Sequence, residues 1–387
     1  SNGDAVLGSL EPSSQLIQSS SDIVSSDNGY KFKSLKYSEV GSINFKVTEN
    51  SNSFYGKILG GLSGNKNIGR FYPDYLTLIS NRWNYSSGHD NFAYMAQGIS
   101  FNFIVEARNR DNEPVTNYGL FAGSLKASIK HVAIEEDGTV LNTRVWLSGG
   151  KDADHISWGE DDWSSARLTI ENFDYEFLRL ASEDGPYDNT NSEFGVWVSD
   201  KVDGVDLQFL DLDNTNTDYT NGTKFSFQPD FRYGRMSLKD VGGNQGRKIQ
   251  VPLEVQYWSG SKFEINSDDS GSQFNGSDYC VTKIWDDAEP TDAKLTSDID
   301  DDGNDDTVSV LNGISSNLIA KQETSRREQV RLFLRQGSSP SGATCFGSEG
   351  AQPWLQYNWR GLGDEDPSTV VTFGIYRGND RVIYRGE

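Results

Sequence analysis

Ile249-Gln250-Val251-Pro252-Leu253-Glu254-Val255-Gln256-Tyr257 is the stretch that decides the fold class. Its apolar side chains fall at every second position, with Gln, Pro and Glu between them. Successive residues of a strand point to opposite faces, so this segment buries one face and wets the other, as in an antiparallel sheet. Pro252 has no N–H for a ladder bond, which places the strand at a sheet edge or gives it a bulge.

The same period recurs in both directions. Phe101, Phe103 and Val105 are set against Ser100, Asn102 and Ile104, and Leu168 and Ile170 against Arg167, Thr169 and Glu171. Shorter strands are predicted at Tyr75–Ile79, Ser128–Ile134, Thr139–Trp146, Glu193–Val198, Gln329–Arg335 and Val370–Tyr376. Turn signals such as Asp137-Gly138, Asp184-Gly185-Pro186 and Asp203-Gly204 lie between them. The end of the chain reads as a hairpin, 372–376 and 381–384 joined by Arg377-Gly378-Asn379-Asp380. The stretch 319–331 is the best helix candidate. The expected fold is all-β: tandem antiparallel β-sandwich domains with long polar loops. Residues 1–40, rich in Ser, Asn and Asp, read as a leader or linker, 41–215 as the first sandwich and 216–387 as the second.

Of 387 residues only 35% are hydrophobic, yet 20 Phe, 17 Tyr and 9 Trp are present, so large rings supply most of the burial. The 39 glycines and many Asn, Asp and Ser favour short strands joined by turns. A formal charge of −22 repels nucleic acid and anionic lipid and attracts divalent cations; its bland reading is a solvated acidic surface. No apolar run approaches the about 18 residues of a membrane span, and no signal-peptide pattern is present. A secreted protein with this sequence is therefore read as a mature or truncated form.

Catalytic motifs are missing. There is no zinc helix of the H-E-x-x-H type, no phosphate loop and no G-x-S-x-G elbow, and His89, His131 and His155 are scattered. His131 falls in a predicted strand and reads as a packed or surface histidine rather than a base. Carboxylates are too abundant for any pair to stand out as a glycosidase dyad. The expectation is a protein that is not an enzyme.

One constellation does carry chemistry: Asp298-Ile299-Asp300-Asp301-Asp302-Gly303-Asn304-Asp305-Asp306. Counted from Asp298, carboxylates occupy positions one, three, five and nine, with glycine at six, as in the first part of a D-x-D-x-D-G calcium loop. Calcium takes about six to eight oxygens, and alternate residues of a tight loop point theirs inward. Asp298, Asp300, Asp302, Asn304 (through its backbone carbonyl) and Asp306 are the expected Ca2+ ligands. Position twelve is Ser309 rather than Glu, so part of the ligand set must come from elsewhere or from water. The alternative is a solvated acidic loop. A second stretch, 211–218, has the spacing only in part and lacks the glycine.

Cys280 and Cys345 are the two cysteines; they would pair in a secreted protein and stay idle thiols in a cytosolic one. Trp158 and Trp163 lie in the polar stretch 155–163 and have two readings: rings that stack on sugar faces, or rings that cap the sandwich ends. Trp146, Trp197 and Trp258 sit on predicted strands and are expected in the core, and Trp354 and Trp359 are expected to be structural.

Several segments resemble the C-terminal region of the MshQ-like proteins of the mannose-sensitive haemagglutinin (MSHA) type IV pilus system. They are Gly69-Arg-Phe-Tyr-Pro-Asp74, Phe92-Ala-Tyr-Met-Ala-Gln97, Asp184-Gly-Pro-Tyr187, Arg232-Tyr-Gly-Arg235, Val251-Pro-Leu253 leading to Tyr257-Trp258, and Pro353-Trp-Leu-Gln-Tyr357. The closing Phe373-Gly-Ile-Tyr-Arg-Gly-Asn-Asp380 with Arg381-Val-Ile-Tyr384 is the most specific. The resemblance runs from about residue 69 to the end. It implies a surface-exposed, extracellular, pilus-associated protein of a Gram-negative bacterium, and it brings no catalytic residues. Where relatives place a cysteine after the Asp-Asp-Ser run, this chain has Asp268-Asp269-Ser270-Gly271, so their disulfide pattern does not transfer. The expected function is adhesion or pilus assembly, with pilus subunits or a host or environmental surface ligand such as a glycan as partner, and no nucleic acid. The alternatives are a purely structural pilus-tip scaffold and, less favoured, a carbohydrate-active enzyme.

Overall fold

A computed structural model describes residues 5–11, 23–24, 29–30, 36–48, 63–147, 151–159, 161–212, 222–286, 291–300, 302–337 and 342–374. Among them the chain is built from strands, with helical geometry only in short 3-10 turns. It divides into two compact units that interleave in sequence. The first holds Ser1–Trp83, Phe101–Phe173 and Asn191–Gln228; the second holds Asn84–Ser100, Asp174–Thr190 and Pro229–Glu387.

In the first unit β1 (Gly41–Thr48) and β2 (Ser63–Phe71) form an antiparallel hairpin. There follow β3 (Tyr75–Asn84), β4 (Ile99–Arg108), β5 (Ser128–Glu135), β6 (Val145–Leu147), β7 (Lys151–Asp152), β8 (Arg167–Phe177), β9 (Ser192–Asp200) and β10 (Gly222–Lys224). These make two sheets, in the orders β7-β6-β8-β4-β3 and β5-β9-β10. Alternate residues face inward: Phe101, Phe103 and Val105 of β4, Leu168 and Ile170 of β8, Ile129 and His131 of β5, and Phe194, Val196 and Val198 of β9 are buried. Rings bridge the two sheets. Phe101 stacks on Trp83 at 5.5 Å and meets His131 edge-on at 6.0 Å, and Phe225 packs 5.8 Å from both Trp83 and His131. This is a β-sandwich with an aromatic filling.

In the second unit the strands are β11 (Gly234–Leu238), β12 (Val241–Gly243), β13 (Ile249–Gln250), β14 (Leu253–Trp258), β15 (Phe263–Ile265), β16 (Gln273–Asn275) and β17 (Tyr279–Asp286). They continue with β18 (Ala293–Thr296), β19 (Thr307–Ser309), β20 (Ile314–Ser315), β21 (Ile319–Gln322), β22 (Glu328–Leu334), β23 (Thr344–Phe346) and β24 (Ser368–Phe373). The sheets run β12-β24-β22-β17-β23, β11-β14-β15 with β20 also on β14, β13-β21-β18, and β16-β19. Met236, Leu253, Val255, Leu295, Val330, Leu332, Val371 and Phe373 meet in one core.

Pro252 does what its missing N–H dictates. The alternating segment is not one strand: β13 pairs with β21, and beyond Pro252 β14 pairs with β11 and β15. Val251, Leu253 and Val255 are all buried, so the period survives the break. The helix candidate at 319–331 is corrected to strands, β21 and the start of β22. Burial there follows period two, with Ala320, Val330 and Leu332 inside, and that pattern suits a sheet rather than a helical face. The strand read at 139–146 shortens to β6, preceded by a 3-10 turn at Asn142–Arg144. The closing hairpin lies outside the described residues beyond β24. Most of the leader does too, but Leu10 and Glu11 pair with Tyr37 and Lys36, and Glu39 accepts hydrogen bonds from Thr116 in the first unit.

Candidate functional site

The aspartate loop joins β18 to β19 in the second unit. Its neck is tied by Asp305, whose Oδ1 accepts from Thr296 Oγ1 (2.6 Å) and Ser297 N (2.5 Å), and by Ser297 Oγ, which donates to the Asp306 carbonyl (2.6 Å). Gly303 takes φ +94°, a left-handed conformation that suits glycine at the turn, and its N–H donates to Asp298 Oδ2 at 3.2 Å. Inside this turn Asp298, Asp300 and Asp302 each bring one carboxylate oxygen within 4.8 Å of the others. Asp298 Oδ1 is buried and makes no hydrogen bond among the described residues. Three converging carboxylates, one of which keeps a sealed oxygen with no partner among the described residues, match the donor chemistry of a calcium ion. Of the other two expected ligands, Asp306 accepts through Oδ2 from Ile299 N at 3.2 Å, and Asn304 N donates to Asp302 Oδ1 at 2.7 Å. Asp211 of the second acidic stretch accepts from Lys224 N at 2.9 Å, and residues 213–218 lie outside the described residues.

Cys280 and Cys345 are joined by a disulfide with Cα atoms 4.0 Å apart, at directly paired positions of β17 and β23. The bridge closes a span that contains the aspartate loop.

The tryptophans sort by burial. Trp158 and Trp163 are each 4% exposed. Trp158 is wedged among Phe103, Phe173 and Phe101, and Trp163 Nε1 donates to the Ala127 carbonyl at 2.9 Å with its ring 4.9 Å from Tyr118. Neither offers a face to a sugar, which corrects the ligand-binding reading; both serve the sandwich. Trp146 is corrected in the other direction: it lies on a strand but is 40% exposed, between buried Val145 and Leu147.

A polar cluster in the second unit was not legible in advance. Asp269, wholly buried, accepts from Tyr94 Oη (2.7 Å), Ser272 Oγ (2.6 Å), Ser272 N (2.8 Å) and Gly271 N (3.0 Å), and its Oδ1 lies 3.0 Å from His89 Nε2. Burial pushes its carboxyl up, but hydrogen bonds and charge from His89 and the bonds from Ser272 outweigh this and hold it below the ordinary range. Asn266 Nδ2 donates to Tyr94 Oη (2.7 Å), and Asn266 Oδ1 accepts from Arg232 Nη1 (2.5 Å), whose guanidinium also pairs with Asp230 and Asp268 and lies over Phe92. Ser, His and Asp are thus adjacent, but Ser272 gives its proton to Asp269 and stands 3.5 Å from His89 Nε2, all sealed from solvent. That is a structural clamp rather than an exposed nucleophile. The available signal was the family-like segments themselves, since Tyr94 and Gln97 of one, Arg232 of another and the Asp268-Asp269-Ser270 run converge here.

Two stacked-sheet units, a disulfide across paired strands and an oxygen-rich acidic loop define an all-β, disulfide-bonded protein. The chain belongs to the DUF6701 family, matching its third domain over residues 39–226 and its fourth domain over residues 232–387. No curated protein gives a sequence match. Among solved structures, the adhesin InvE of Yersinia pseudotuberculosis is 12% identical, covering 76% of this chain and 59% of that one, with a TM-score of 0.23. An I-band fragment of titin is 8% identical, covering 83% and 71%, also at 0.23, and titin domains in complex with telethonin are 6% identical, covering 78% and 98%, at 0.18. At these TM-scores the likenesses add nothing to the fold read from the sheets, and the chain spans 59% of the adhesin's length. Among the described residues no helix is long and apolar enough to cross a membrane.

Proposed function

We propose that this chain is a non-enzymatic, extracellular module of a Gram-negative cell surface, acting in adhesion or in assembly of an MSHA-type pilus, with calcium held at Asp298, Asp300 and Asp302. The Cys280–Cys345 bridge carries the reading, because disulfides form and persist in oxidising compartments outside the cytosol. The MshQ-like segments support the pilus assignment. Calcium would neutralise three carboxylates that otherwise repel one another and would pin the loop between β18 and β19. Its role is structural, in a part of the chain that the disulfide also closes.

The test is adherence. Beads carrying the full chain are offered immobilised glycans, host-cell surfaces and purified pilus fibres, with calcium or with chelator. Calcium-dependent retention on any of these supports the proposal; no retention on all of them overturns adhesion and assembly together. A scaffold without a ligand is favoured by one observation: Tyr94 and Arg232 of the family-like segments are spent on the buried clamp around Asp269 rather than on a surface. Retention on pilus fibres alone keeps the assembly half of the proposal and favours this scaffold reading over adhesion to a glycan or host surface.

A further inference from the structure

Trp146 has a setting that the core does not explain. Its neighbours on β6, Val145 and Leu147, are buried, while its indole is 40% exposed on the outer face. Directly opposite it on β7 stands Asp152, and cross-strand partners project to the same face. The chain then enters a 3-10 turn at Ala153–His155. Asp154 anchors that turn: its Oδ1 accepts from Asn142 Nδ2 at 2.8 Å, and its carbonyl accepts from Lys130 Nζ at 2.7 Å. The turn folds His155 back so that Nδ1 lies 2.5 Å from Asp152 Oδ1. Trp146, Lys151, Asp152 and His155 together line an open hollow of about 380 Å³.

We propose that this hollow binds a pyranose ring of a surface glycan, an assignment that rests on the adhesion reading above and names its ligand. The indole gives a flat apolar platform for the C–H face of a sugar, with its quadrupole favouring the weakly positive C–H hydrogens. The carboxylate of Asp152 accepts from sugar hydroxyls, and the ammonium of Lys151 donates to hydroxyl or ring oxygens. An ionised carboxylate only accepts, so His155 donates to it through Nδ1, which leaves Nε2 as a further polar atom for a sugar hydroxyl. One aromatic face ringed by donors and acceptors suits a ligand with one apolar face and a polar rim. A lipid would need an enclosed apolar site, and an anionic polymer meets a chain of formal charge −22.

The experiment titrates the full chain with methyl pyranosides of glucose, galactose, mannose and N-acetylglucosamine, followed by indole fluorescence and ligand-observed NMR. Trp146→Ala and Asp152→Asn are run beside it, with circular dichroism checking that each variant folds. The expected result is binding of at least one pyranoside and a loss of about tenfold or more in each variant. Binding that persists unchanged in Trp146→Ala overturns this site and leaves adhesion intact. Absence of binding to all four sugars, with bead adherence retained, also overturns the site alone; absence of both removes the adhesion reading itself.

Discussion

His89 Nε2 lies 3.0 Å from Asp269 Oδ1, 180 residues along the chain, and neither side chain meets solvent. The carboxylate is the hub of a clamp, because Tyr94, Ser272 and two backbone N–H groups also point at it. Replacing Asp269 by Ala strands these donors in the interior. Leaving a buried donor without its acceptor costs about 1–3 kcal/mol, and several are stranded here, so the loss is about 3 kcal/mol or more, above that of exchanging the whole cluster for apolar groups. We expect Asp269→Ala to lower stability by that amount in urea unfolding; a change below about 0.5 kcal/mol, the scale of an ordinary surface substitution, would falsify the clamp.

Two loops meet back to back behind this hub. A Cβ on Gly271 would stand 2.2 Å from the Ser87 carbonyl oxygen, and one on Gly88, which has φ +79°, 2.5 Å from Gly271 Cα. Backbone cannot yield as a flexible side chain can. Gly271→Ala is therefore expected to destabilise by an amount similar to overpacking a core, about 1–3 kcal/mol. A melting curve matching the parent protein would show that the loops can part.

Acid should weaken the first unit through His131. Burial among Phe101, Phe194 and Phe225 pushes its imidazole down to about 3. The folded state thus keeps it neutral while the unfolded chain takes a proton below pH about 6.5. Stability is fully present above that pH and falls by about 1.4 kcal/mol per unit as pH drops toward the folded value. Urea midpoints between pH 7 and 4 are expected to follow this slope and to flatten in His131→Leu. Equal slopes in the two proteins would assign the acid sensitivity elsewhere.

For the calcium loop, the expected outcome is a lower Tm in chelator, restored by added Ca2+ and reproduced by Asp300→Ala even in excess calcium. Asp300 is exposed and, among the described residues, its carboxylate accepts from the Asp302 N–H at 3.3 Å alone, so its loss without calcium should be nearly silent. A melting curve indifferent to chelator sinks the site.

Reduction of Cys280–Cys345 frees a span of 65 residues. In the chain-entropy account that closure contributes about 4 kcal/mol. Cys280→Ala with Cys345→Ala is expected to lower stability by that order in urea, and a loss below about 1 kcal/mol would mean that the β17–β23 pairing holds the span closed without the bridge.

Local pattern alone determined the fold class. Alternation at 249–257 and in β4, β5, β8 and β9 depends on nothing but the two-residue repeat of a strand, and Pro252 announced its break because a missing N–H is a property of one residue. The spacing of Asp298, Asp300 and Asp302 around Gly303 was equally local, so those three carboxylates converge as read. The tertiary structure decided which rings are inside. Trp158 and Trp163 stand in a polar stretch yet are buried, because Phe103, Phe173 and Tyr118 arrive from other strands to cover them. Trp146 stands in a strand yet faces water, because nothing in its sequence says which face of β6 meets the second sheet. The partnership of His89 with Asp269 had no local signal at all. Burial and long-range pairing are properties of packed surfaces, and they exist only once the sheets have closed on one another.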